Sequence, residues 1–281
     1  MTAAPVLLRP RAYCDSFAAA WRLALRHREL LWELQKRDLS DRYVGSVLGA
    51  LWSIVHPLLL MAVYVAVFGF VFKVKLDQTG TGELDYPAYL IAGFLPWLAM
   101  MDVMSRSAGV IYANVNLVKQ VAFPLELLPA KGLLGAFIPQ AVGTACLLAY
   151  IAVQFGYVPP AIVLLPVALL FQGLAALGLG WLLALVGAYF RDTPNVLQIF
   201  FQLNFFLMPV VFVPSSTPEV LARAMAVNPF SHLVYVYQDI LFYGALRHPG
   251  SWAVLAVLSV IVFVAGFTMF TRAKQAFGNV L

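Results

Sequence analysis

Four groups of side chains have types and spacings that suggest chemistry. Lys36, Arg37 and Arg42 stand just before the first long apolar run. Such cations can hold a phosphate, Arg through paired hydrogen bonds and Lys as a point charge. The ordinary alternative is anchoring, because basic residues flank membrane spans in general. Gln198, Gln202 and Phe205 recur at spacings of four and three, hence on one helix face, with Phe201 beside them. Tyr64, Phe68 and Phe72 repeat every four residues. Aromatic faces and amides together could grip a sugar chain weakly and release it. The ordinary alternative is packing or lipid-facing phenylalanine, although an amide in hydrocarbon is costly without a polar partner. Asp102 and Arg106, four apart in an apolar stretch, could neutralise each other on one face. An ionisable residue at membrane depth is a functional candidate; close to the headgroups it is only anchored.

Several chemistries have no residues to carry them. No GxxxxGK[ST] run exists to cradle nucleotide phosphates, no HExxH and no GxSxG. No DxD pair offers a metal–nucleotide-sugar site. Cys14 and Cys146 form no CxxC pattern, and the four histidines, His27, His56, His232 and His248, are scattered. The expectation is a protein that is not an enzyme and binds no cofactor or metal of its own. Energy for uphill movement must then come from a partner or an ion gradient.

The elements that position these groups follow from composition. Of 281 residues, 62% are apolar and 11% charged, against roughly half and a quarter in a soluble domain. Such a chain is built for hydrocarbon and predicts an all-α membrane protein. Charge-free runs over 43–72 and 132–190, the second broken at Gly156 and Pro159–Pro160, bound the first, third and fourth of six expected spans. The six lie near 51–72, 89–110, 133–154, 161–188, 195–213 and 252–271. Residues 27–43 mix Leu30, Leu31 and Leu34 with basic groups, which suits an amphipathic helix on the membrane surface. Residues 214–240 carry prolines and an apolar stretch too short to span, which suits re-entrant or interfacial helices. No cleavable signal peptide is expected, because Arg9 and Arg11 interrupt the first 20 residues. Fourteen of the 18 basic residues fall on the side of the two termini, counting Arg106. Positive-inside logic therefore puts both termini in the cytoplasm, and the net charge of +5 reads as orientation, with no nucleic-acid partner. Ala176, Gly180, Ala184 and Ala188 form a small-residue ridge for close helix packing.

Four segments carry a resemblance. RDLSDRYVGSVLGALWSIVHPL at the first span, NVNLVKQVAFPLELLPA, AYFRDTPNVLQIFFQLNFFLMPVVF and NPFSHLVYVYQDILFYG resemble the polysaccharide-export branch of the type-2 ABC transporter permeases. The likeness runs from about residue 25 to the C-terminus. It implies a bacterial inner-membrane homodimer that works with two copies of a nucleotide-binding subunit holding ATP and Mg. Residues 1–45 would be a cytoplasmic segment with the interface helix, and 46–281 one six-span domain. Within that domain, 111–131 would be the coupling loop and 214–240 gate helices at the outer mouth. Lys119, Phe123, Pro124 and Glu126 would meet the ATPase, with the prolines as stiffeners. Lys36, Arg37 and Arg42 would orient a diphosphate lipid headgroup, and the aromatic and amide faces would line the sugar path. Gln238, where a basic residue is expected, and Met208, where a small polar one is, depart from the branch's pattern.

The resemblance implies export of a lipid-linked polysaccharide, O-antigen first, with capsule, teichoic acid, drug or lipid as alternatives. An ion-coupled secondary transporter is the rival from another class, resting on Asp102. A membrane-embedded glycosyltransferase is a third.

Overall fold

The computed structural model describes residues 10–42, 45–71, 85–118, 123–212 and 217–274. The described elements are helical. Helices α1 (Pro10–Arg26) and α2 (Arg28–Asp41) precede α3 (Trp52–Tyr64), which continues as a π-helical turn over Val65–Val71. α4 (Tyr86–Ala113), the short α5 (Val115–Val118) and two 3-10 turns, Leu125–Leu127 and Pro129–Gly132, lead into α6 (Leu133–Phe155). α7 (Leu165–Tyr189), α8 (Thr193–Phe206), α9 (Glu219–Val227), α10 (Pro229–Gln238) and α11 (Pro249–Ala273) complete the chain. Phe72, Lys119, residue 213 of the expected fifth span and residues 214–216 of the expected gate segment lie outside the described residues.

α4, α6 with its preceding turns, α7 and α11 are each long and apolar enough to cross a bilayer. α3 with its π turn is about 30 Å long at the helical rise. α4 is the axis of the bundle, with 72% of its apolar window buried against 22% for α7. It contacts α6, α7, α8 and α10. Asp85 caps its N-terminus by accepting from the Ala88 amide at 3.2 Å, and Pro87 stands in its first turn.

α7 and α11 cross closely because glycine meets glycine. A Cβ on Gly266 would lie 2.2 Å from the Gly178 carbonyl oxygen, and one on Gly178 would lie 2.5 Å from the Val262 oxygen. The ridge expected on this span is buried throughout, at Ala176, Gly180, Ala184 and Ala188. Gly187 adds to it, since a Cβ there would meet the Ala108 oxygen of α4 at 1.8 Å.

α8 is shorter than the 195–213 span expected. It has 14 residues, about 21 Å of helix, and 207–212 is irregular. Irregular backbone inside a hydrophobic layer needs partners from protein, and this stretch has them. Asn228 donates to the Leu207 carbonyl at 3.0 Å, while Tyr89 and Gln238 donate to that of Pro209 at 3.0 and 2.7 Å. Tyr86 donates to the Val211 carbonyl. The departures from the family pattern fall here: Gln238 and Met208 are both fully buried, and Gln238 fits because α4 has Gly93 opposite it. The apolar stretch before the last span forms two short helices, α9 and α10. Asn228 caps α10 by accepting from the Phe230 amide at 3.0 Å, with Pro229 at the first helical position.

Candidate functional site

The basic end of the bundle, where α2, the turns before α6 and the C-terminus of α11 meet, gathers most of the charge. Arg42, just past α2, reaches into the bundle and is only 10% exposed. Its guanidinium donates to Asp102 Oδ2 at 2.7 Å and to the Gly135 carbonyl at 2.5 Å. Gly135 is needed for that approach, because a Cβ there would lie 2.3 Å from Arg42 Nη2. Arg106 holds the other Asp102 oxygen at 2.8 Å, as the four-residue spacing suggests. Asp38, largely buried, faces Arg42 at 3.6 Å and Arg106 and Lys131 at 3.9 Å. Lys131 also donates to Asn114 Oδ1 at 3.1 Å, and Gln35 to the Ala130 carbonyl at 3.3 Å. Thus α2 is fastened both to α4 and to the turns before α6. Lys36 and Arg37 point outward instead, 52% and 82% exposed, and pair with Glu33 and Asp41.

The segment expected to couple to an ATPase is built around a second hydrophobic core. Leu125 and Leu128 are buried with Trp181 of α7, Phe263, Phe267 and Phe270 of α11 and Ala20 of α1; Phe123 packs on them while half-buried. Trp181 Nε1 donates to the Glu126 carbonyl at 2.9 Å. The Glu126 side chain turns inward, 4% exposed, and accepts from Lys274 Nζ at 2.5 Å. Pro124 is half-buried and precedes the first 3-10 turn with extended backbone.

A cavity of about 550 Å³ opens between α3, α4, α6 and α8. Trp52 and His56 line it from α3, Asp102 from α4, Gln140 from α6, and Gln198 and Phe201 from α8. One end is therefore charged, with Arg42 at its edge, and the remainder is apolar and amide. Phe201 is 4% exposed and meets the Trp97 edge at 5.8 Å, so it packs as well as lines. Gln202 is exposed beside it. Phe205 and Tyr64 converge on Phe94, each at a ring-centroid distance of 5.4 Å, and Tyr64 stacks with Phe68 at 6.2 Å. The two expected aromatic faces thus meet across α4. Behind the cavity, Gln140 and Gln172 exchange amide hydrogen bonds at 2.9 Å, and Tyr237 donates to Gln172. This cluster satisfies amides that would be costly alone.

Asp38, Lys131, Gln172 and Lys274 are absent from the sequence reading. Gln172 had a visible signal, as an amide inside a charge-free run. Asp38 had one too, four residues before Arg42, whereas Lys274 had none, since its partner Glu126 is 148 residues away. Among the described residues, no group of three side chains could hold a metal ion.

The family model for ABC-2 type transporters matches residues 29–242. The O-antigen export system permease protein RfbA of Myxococcus xanthus is 29% identical over 257 residues, covering 90% of this chain and 96% of that protein. RfbA of Klebsiella pneumoniae is 24% identical, with 90% and 95% covered. The polysialic acid transport protein KpsM of Escherichia coli is 24% identical, with 85% and 92% covered.

Proposed function

The chain belongs to the ABC-2 type transporter family, and from that premise we propose that it is the membrane permease of an ATP-driven exporter of lipid-linked polysaccharide, O-antigen first. The observation that carries this reading is the match, over 90% of this chain and at least 95% of theirs, to proteins named as O-antigen export permeases. In this reading the chain spans a bacterial inner membrane six times, with both termini in the cytoplasm. α3 is the first span and α8 the fifth. α2 lies along the cytoplasmic leaflet, and α9 and α10 form the outer mouth. The permease acts as a homodimer with two nucleotide-binding subunits, which hold ATP and Mg.

The geometry supports this division of labour. Lys36 and Arg37, although paired with Glu33 and Asp41, are exposed on the outer face of α2 where an anionic headgroup can reach them, and Arg42 secures the helix that carries them. The cavity offers Gln198 and aromatic walls to a sugar chain. The block 123–132 touches α2, α7 and α11, so a push on its outer rim reaches several helices. The ion-coupled alternative loses ground, because both oxygens of Asp102 are occupied by arginines in a structural network.

The test is co-purification. The chain is expressed with the neighbouring ATPase gene and purified through a tag on this subunit. Retention of an active ATPase in equal amount, lost on Phe123→Ala, is the expected result. A stable chain that never retains an ATPase contradicts the reading.

A further inference from the structure

The coupling segment is joined to the last span by a charged contact whose two halves have unlike surroundings. Glu126 is buried, and its Oε2 has no hydrogen-bond partner among the described residues. Lys274, one residue past α11, is 38% exposed and closes on Oε1. The Trp181 bond to the Glu126 backbone carbonyl holds that turn in place, and its neighbours Leu125 and Leu128 are buried in the second core. The two residues are 148 apart in sequence, so the pair links elements that nothing local would hold together. A carboxylate this enclosed is a poor docking contact for another protein. It is well placed as a joint.

We propose that Glu126 and Lys274 are positioning residues that make the coupling segment and the end of α11 move as one body. ATPase strokes received at the rim around Phe123 then reach the last span and, through the Gly178–Gly266 crossing, α7. This rests on the transporter reading above. Without the pair, the segment still seats in the ATPase, still permits hydrolysis and still packs on α11 through the second core, but it is no longer tied to the end of that helix and most of the stroke is lost.

The experiment uses the full permease–ATPase complex carrying Glu126→Gln, Lys274→Met, both together, or the swap Glu126→Lys with Lys274→Glu. Three quantities are read: ATPase retained, ATP hydrolysed, and surface polysaccharide of the source strain on periodate–silver-stained gels. Glu126→Gln keeps the shape and leaves a half-exposed lysine in water, so it folds. It is expected to retain the ATPase while export per ATP falls about tenfold, within the usual range of coupling energies. Lys274→Met is the worse single change, because it strands a buried carboxylate. Adding Glu126→Gln to it restores assembly but not export, and the swap restores part of the export. Normal export by Glu126→Gln overturns the proposal, as does loss of the ATPase from that variant, which would make Glu126 a docking contact. If the wild-type chain retains no ATPase, the transporter reading fails and the joint with it. If it does and Glu126→Gln exports normally, only the joint fails.

Discussion

Arg42 shows how a surface cation becomes an internal fastener. Its type and position suggested a headgroup ligand, yet its guanidinium is occupied by Asp102 and the Gly135 carbonyl. Lys36 and Arg37 keep the outward geometry that a headgroup needs. Spacing along one helix made the Asp102–Arg106 pair legible, because residues four apart share a face. It could not reveal Arg42, which lies 60 residues from Asp102, or Lys274. Asp102→Asn removes the charge between two arginines and should cost about 1–3 kcal/mol, read as a lower thermal midpoint in detergent. Export per folded molecule should stay within about threefold of wild type, since losses of that size are under 1 kcal/mol; complete loss of export from a stably folded protein would favour ion coupling. Gly135→Ala should reproduce the thermal loss of Arg42→Ala, because the new methyl group displaces the guanidinium. An unchanged midpoint would show that Arg42 is held by something else.

Helix boundaries were legible where charge-free runs end at glycine, proline or a capping side chain, as for α6, α7 and α11. Two elements were not. α1 buries its small residues Ala19 and Ala20 with Leu23 against the second core, and alanine gives a weak periodic signal beside exposed Phe17, Trp21 and Leu25. The break after Phe206 hides in an apolar run, because its partners Tyr86, Tyr89, Asn228 and Gln238 lie on other helices. Gln238→Leu together with Tyr89→Phe should expose that break by leaving the Pro209 carbonyl without either donor. The expected outcome is proteolytic nicking within 207–218 and a loss of about 1–3 kcal/mol for an orphaned carbonyl. Resistance equal to wild type would contradict it. Gly266→Leu should drive α11 from α7 and cost at least about 1–3 kcal/mol from overpacking, read as a fall in thermal midpoint and poor membrane yield.

At the scale of the molecule, two cores divide the work. One fills the bundle around α4 and backs the amide-lined cavity. The other lies under the coupling segment and ties it to α1, α7 and α11. Composition made the membrane class plain, and the motif-bearing segments pointed to the family. The cavity could not be read in advance, because its walls come from four helices brought together only by folding. The most direct measurement is where polysaccharide accumulates. The gene is deleted in the source bacterium and restored with the wild-type chain, alongside either an active ATPase or one unable to hydrolyse ATP. Lipid-linked polysaccharide is expected to be trapped on the cytoplasmic side after deletion, and surface polysaccharide to be restored only with the active ATPase. Surface polysaccharide that is unchanged by deletion, or restored with the inactive ATPase, would contradict the transporter reading.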